Sequence, residues 1–203
     1  MFRIITVFLV IIGLLAQVAI SGQNQPLDKI SQTLEHDGVL TASFIQKKTI
    51  TGLPNPLVST GTVTVQNGKG IVWKTETPFP VTLLLNQQGI FQVEGTKKTS
   101  LAGGQRRDKN LLNILTNVLN GNFNTITEFK VNVLEMTGDN HWKIDLLAQG
   151  AIAKFITKIQ IEGDQFIRQI SIQRANKDRD VITLAQHQVT KTPAADIAKI
   201  LND

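Results

Sequence analysis

Three imidazoles, His36, His141 and His187, are spread along the chain, and no two stand at the close spacing that presents a pair of ligands to one metal. Cysteine is absent, which removes thiolate zinc sites, disulfides and thiol nucleophiles together. There is no Gly-x-Ser-x-Gly elbow, and Gly68-Lys69-Gly70 is explained by a hairpin turn rather than by a phosphate loop. A hydrolase needs an activated nucleophile beside a base, and no residue pair offers one. No catalytic residue, metal or cofactor is therefore expected. The polar residue best placed to meet a ligand is Arg168, which is in phase with Phe166, Ile170 and Ile172. A buried arginine without an anion is costly, so Arg168 either meets a headgroup or carboxylate, is turned to solvent by a bulge, or pairs with a neighbouring acid. Lys97, Lys98, Arg106, Arg107 and Lys109 form a basic cluster, either a rim for an anionic membrane or acidic partner, or a solvated loop. The basic residues lack interleaved aromatics, which argues against nucleic acid. The formal charge of +5 suits both solubility and anionic lipid surfaces.

The elements that must position such residues begin behind a leader. Met1-Phe2-Arg3 and the apolar run Ile4 to Leu15, followed by Ala19 and Ser21, have the pattern of a cleaved secretory signal over residues 1–21. Residues 22–203 then form one exported, periplasmic domain, and a monomer is expected. Leu27, Ile30 and Leu34 have helical spacing, and the helix ends near Gly38. From Val39 the period changes to two. Strands are expected over Val39 onward, Leu57 to Gln66, Ile71 to Thr75, Val81 to Leu85 and Ile90 to Glu94, with Asn67-Gly68 as a hairpin turn. Gly95 to Lys109 reads as a surface loop with Gly103-Gly104 as hinge. Asn110 to Leu119 carries a helical stripe of Leu111, Leu112, Leu115, Val118 and Leu119, ended by Asn120-Gly121-Asn122. Alternation returns over Phe129 to Leu134, His141 to Leu147, Phe155 to Glu162, Phe166 to Gln173 and Val181 to Val189, and Thr192-Pro193 starts a terminal helix. Connections too short for crossovers make the sheet antiparallel, with about nine or ten strands and three helices.

Taken in phase, one face of this sheet reads Val63, Val65, Ile71, Trp73, Leu83, Leu85, Phe91, Val93, Phe129, Val131, Trp142, Ile144, Phe155, Ile159, Phe166 and Ile170. An apolar face of that extent must be covered. A second sheet would make a sandwich; alternatively the sheet curls around a centre filled by side chains or by a ligand, with the helices as lid.

Several segments, in order, resemble the LolA-like family of lipoprotein carriers. They are Phe44-Ile45-Gln46-Lys47, Pro56-Leu57-Val58-Ser59-Thr60-Gly61 and Gly70-Ile71-Val72-Trp73-Lys74-Thr75-Glu76-Thr77-Pro78-Phe79-Pro80 in the first half. Trp142-Lys143-Ile144-Asp145-Leu146, Ile159 to Asp164 and Arg179 to Leu184 follow in the second, so the resemblance spans most of residues 22–203. It implies an incomplete antiparallel β-barrel whose apolar concave side, lidded by short helices, receives acyl chains. It also implies a carrier or chaperone that takes a lipoprotein or another acyl lipid toward the outer membrane. The partners would be an inner-membrane lipid exporter and an outer-membrane acceptor, with transient membrane contact. On that reading Phe44, Trp73, Phe79, Leu83, Leu85, Phe91, Trp142, Ile144, Phe155 and Phe166 form the wall, Leu111, Leu115 and Val118 the lid, and Arg168 the headgroup contact. The early hairpin of such carriers has an arginine that helps hold the lid, whereas Gln66 to Trp73 offers only Lys69, which points to acyl cargo other than lipoprotein. The alternative is an interaction module accessory to a lipid exporter, with no cargo of its own.

Overall fold

The computed structural model describes residues 25–101, 114, 116–137 and 140–202. The expected leader over residues 1–21, the Gly103-Gly104 hinge, Arg106, Arg107 and Lys109, and the lid positions Leu111 and Leu115 lie outside the described residues. Helix α1 (Gln25–Leu34) is followed by β1 (Val39–Thr49), β2 (Leu57–Gln66), β3 (Gly70–Thr77), β4 (Val81–Asn86), β5 (Gly89–Glu94) and β6 (Lys97–Ser100). After a central helical stretch at residues 116–119 come β7 (Phe129–Met136), β8 (Trp142–Ala148), β9 (Ile156–Gly163), β10 (Ile167–Arg174), β11 (Arg179–Thr190) and helix α2 (Ala195–Asn202).

All eleven strands join one sheet in the order β6-β5-β4-β3-β2-β1-β11-β10-β9-β8-β7. Every pair is antiparallel, and each joins strands consecutive in sequence except β1 with β11. The sheet is thus two meanders fused where the first and last strands meet, and its free edges are β6 and β7. A sheet this wide accumulates enough right-handed twist to curl. Because β6 and β7 do not pair, it stops as an incomplete barrel, and the connection between them carries the central helix.

Strand β6 falls inside the stretch read from sequence as a loop. Its residues, Lys97-Lys98-Thr99-Ser100, have no apolar alternation to announce a strand; the ladder to β5, from Phe91 opposite Ser100 to Glu94 opposite Lys97, makes it one.

The core lies on the concave side. Ala42, Phe44, Val63, Val65, Ile71, Leu85, Ile144, Leu146, Ile159, Ile161, Ile170, Ile172, Ile182 and Leu184 are buried there with α1's Leu27, Ile30 and Leu34 and with Val118, Leu119 and Phe123. On the convex side a buried apolar cluster lies over β3 to β5, where Val72, Leu84 and Val93 are covered by Ile197 and Leu201 of α2. Over β8 to β10 it is a polar ladder instead: Lys158 to Asp145 at 2.6 Å, Lys143 to Glu162 at 3.7 Å, and Gln160 and Gln169 donating to those two carboxylates. Charge on one face and Ile, Leu and Trp on the other fix which side turns inward.

Two glycines make room for the large aromatics. At Gly61 a Cβ would lie 1.9 Å from the Lys74 carbonyl oxygen and 2.9 Å from the Phe44 ring, and at Gly163 it would lie 2.8 Å from the Trp142 ring. Only a residue without a side chain lets these rings lie flat over the strand. Gly61→Val should therefore overpack the core and lower stability by about 1–3 kcal/mol, read as a lower urea midpoint with unchanged m-value.

Candidate functional site

The concave face is built by period-two alternation whose parity is reset at each turn. Even positions point inward on β1 (Ala42, Phe44), odd ones on β2 to β4 (Val63, Ile71, Trp73, Leu83, Leu85), and even ones again on β8, β10 and β11. Phe44 and Trp73 stack with ring centroids 4.4 Å apart. Trp142 meets Phe123 edge-on at 6.4 Å, and its indole N–H donates to the Asp164 carbonyl at 2.6 Å. Buried indoles need such a partner, so Trp142 is fixed at both ends of its ring.

The lid is made of short pieces. Residues 116–119 end in a helix-terminating motif: the Gly121 amide donates to the Val118 carbonyl at 3.0 Å and the Asn122 amide to the Asn117 carbonyl at 2.8 Å. Gly121 has φ +69°, the left-handed geometry this ending requires. The Ser31 hydroxyl of α1 then donates to the Gly121 carbonyl at 2.8 Å, tying the two lid segments together. Val118 is fully buried beneath them.

These segments fill the concave side. Between Leu34, Leu40, Ala42, Val63, Val65, Leu119, Ile167, Leu184 and His187 remains a cavity of about 20 Å³, room for one water and no more. Polar groups close the apolar surface at both ends. Beyond Phe44 and Ile182 the inward positions become Gln46 and Asp180; Asp180, 2% exposed, accepts from Arg174 Nε at 2.9 Å and from Gln46 at 3.3 Å. At the opposite end stand Asp164, Phe166, Arg168, His187 and His36.

Of the residues expected on the wall, Phe44, Trp73, Leu83, Leu85, Trp142 and Ile144 lie on the concave face, as does the lid residue Val118. Four do not lie within it. Phe79 sits in the β3–β4 turn between two prolines, 79% exposed and beyond the end of both strands. Phe91, with Val93, faces the convex side under α2, because the β4–β5 turn pairs Leu84 with Phe91 and Leu85 with Ile90, reversing the parity assumed across that hairpin. Phe155 caps a 3-10 turn (Gly150–Lys154) before β9 and is 38% exposed; Ile156 turns inward in its place. Phe166 precedes β10, and a register shift between Ile167 and Gln169 moves it to the rim, against His36 and His187.

The same shift lifts Arg168 out of phase with Ile170. Its Nε donates to both Asp164 oxygens at 3.1 and 3.0 Å, Nη2 lies 3.0 Å from Oδ2, and Nη1 is 3.0 Å from His187 Nδ1. The bulge and the acid partner are both present. Burial acts to raise the Asp164 pKa, but hydrogen bonds from Arg168 and the Phe166 amide outweigh it and hold it below its usual 3.8. The ion pair is two-fifths exposed, so it contributes about 1 kcal/mol at most and serves chiefly to orient the guanidinium. Sequence reading missed that His36, Asp164 and His187 meet, since no local pattern links positions so far apart.

No family model matches the chain, and no curated protein does. It is similar to the solved structure of a LolA superfamily protein from Nitrosomonas europaea, at 11% identity and TM-score 0.49 over 87% of this chain and 96% of that one. It is also similar to Pseudomonas aeruginosa MucB in complex with MucA, at 9% identity and TM-score 0.48 over 85% of this chain and 58% of that chain. LprF from Mycobacterium bovis matches at 13% identity and TM-score 0.39 over 84% of this chain and 95% of that one. The incomplete-barrel assignment rests on the strand order and register described above.

Trp142→Phe keeps one aromatic ring but removes the pyrrole half of the indole with its N–H, leaving the Asp164 carbonyl without its donor. It should cost about 1–2 kcal/mol, measured by urea denaturation, with its largest effect on amide protection at the β9–β10 turn.

Proposed function

We propose that this chain is an exported, periplasmic carrier that takes an acyl chain against the concave face by displacing its own lid. One observation carries the reading: a continuous apolar surface of a single curled sheet is covered by short helical segments and not by a second sheet. Residues 1–21 supply the export signal and residues 22–203 the carrier domain. The magnitudes permit exchange. A chain of fifteen methylenes leaves water with a gain of about 12 kcal/mol, whereas uncovering Leu27, Ile30 and Leu34 costs about 5–9 kcal/mol. The guest replaces lid side chains on Phe44, Trp73, Leu85 and Ile144, and its polar head lies at the end where Arg168 stands. The exposed apolar residues Leu53, Leu57, Val58 and Phe79 near Lys47 and Lys48 suit a transient touch on an anionic bilayer. The cargo is a lipoprotein or other acyl lipid, received from an inner-membrane exporter and passed to an outer-membrane acceptor, with no catalytic step.

One observation favours the second reading, an interaction module with no cargo. Among the described residues the concave side keeps a cavity of about 20 Å³, while a cleft of about 390 Å³ lies outside it, between Val93 to Lys98 and α2.

Organic extraction and mass spectrometry of protein made in its native compartment separates the two. Acyl species near one per chain are expected, and an empty protein would favour the module. Leu40→Trp, which plugs the half-buried end of the cavity, should weaken binding of a fluorescent fatty acid by about tenfold or more with an unchanged circular dichroism spectrum.

A further inference from the structure

The end of the concave face near α1 is built around one aromatic ring and two imidazoles. The Phe166 ring stacks on His187 at 4.6 Å and 15°, and meets His36 at 4.9 Å and 44°. His36 stands two residues beyond Leu34, the last residue of α1, and Leu34 and His187 both line the small cavity. The lid's end is thus seated on the sheet through this aromatic contact.

The protonation state of His187 follows from its partners. Nε2 lies 3.0 Å from the Ile167 carbonyl oxygen, which can only accept, so Nε2 carries the proton. Nδ1 lies 3.0 Å from Arg168 Nη1, which can only donate, so Nδ1 must present its lone pair. The ring is neutral, and both nitrogens are committed.

We propose that His187 is an acid-sensitive latch on the mouth of the concave cavity: a proton gained at Nδ1 breaks its bond to Arg168, drives ring and guanidinium apart and, by shifting the ring on which Phe166 stacks, unseats the end of α1. Protonation sets two donors face to face and two positive charges side by side. Among the described residues the charged or titratable groups facing the ring are Arg168 from β10, Asp164 from the β9–β10 turn and His36 from the α1–β1 connection. The β1 residues paired with this part of β11, Thr41 and Ser43, carry no charge. Asp164 is already engaged by Arg168 and the Phe166 amide, so it cannot turn to the new imidazolium without releasing them. Nearby, His36 Nε2 is buried without a hydrogen-bond partner among the described residues.

Burial and the Arg168 charge together hold the His187 pKa below its usual 6.5, against the Ile167 carbonyl and Asp164, which favour the charged form. The unfolded chain therefore takes up the proton first. The stability due to the neutral ring is complete above 6.5 and is lost as pH falls from there through the folded value.

The consequence for uptake rests on the carrier reading; the opening itself does not. The test uses the full mature chain. Amide exchange of residues 27–34, corrected for intrinsic rates, is followed from about pH 7.5 to about pH 5 beside the imidazole titration by NMR. Protection of α1 should fall about tenfold, the equivalent of losing one charge-assisted bond, with the midpoint of the His187 titration. His187→Gln offers an oxygen to Arg168 and an N–H to Ile167 without titrating, and should keep protection flat. Arg168→Gln removes the facing cation and should shrink the fall. Protection that ignores pH, or falls equally in both variants, overturns the latch. Fluorescent fatty-acid binding is read on the same samples. Opening in acid with no uptake at either pH supports the latch and counts against the carrier, whereas uptake with pH-independent α1 protection overturns the latch alone.

Discussion

The pairing of β1 with β11 is the contact on which the remaining architecture depends. It joins segments as distant as Ser43 and Ala185, 142 residues apart, and turns two modest meanders into one sheet of eleven strands. The entropy of closing so long a loop grows only slowly with length, and here it is offset by a ladder running from Val39 to Thr49. Only the fused sheet is wide enough to curl, and only a curled sheet has a concave face from which water can be excluded by a few short helices. The location of every other element follows. The described end of the central helix, with Val118 and Leu119, packs into the concavity beside α1, and α2 covers the buried apolar cluster on the convex surface.

Wall and lid differ in how they are held. The wall combines backbone ladders with rings seated over glycines and an indole bonded at its far edge, so its side chains have little freedom to reorient. The described lid consists of the ten-residue helix α1 and the C-terminal end of the central helix, residues 116–119. A helix as short as α1 is marginal without tertiary support, and among the described residues the Ser31 hydroxyl ties it to the end of the central helix at Gly121. The two polar ends differ as well. Asp180, Arg174 and Gln46 form a hydrogen-bonded plug around a buried carboxylate, whereas the opposite end depends on a neutral imidazole.

Much of this was legible in the residues. Leu27, Ile30 and Leu34 announced α1, the alternation over Leu57 to Gln66 announced β2 over those same residues, and Asn120-Gly121-Asn122 marked the end of the central helix. Such features arise from interactions within a few residues of one another, so local period and turn chemistry determine them. The inward residues Phe44, Trp73, Leu85, Trp142 and Ile144 were found for the same reason. The errors share a different origin. Phe91 faces outward because a turn shifted the pairing parity between β4 and β5; Phe166 and Arg168 left the concave face because β10 carries a register shift; and β6 exists only because β5 offers it an edge. Parity and bulges are properties of paired strands, and one strand's own sequence does not contain them.

By itself, then, the sequence determined the kind of elements, their approximate limits and the amphipathic character of a large antiparallel sheet, because each depends on near neighbours along the chain. Tertiary structure decided which side of each strand turned inward, how completely the helices filled the concavity, and that His36, Phe166, Arg168 and His187 share one end of it. Those outcomes depend on register, sheet curvature and contacts between residues far apart in the chain, which come into being only when the first and last strands have paired.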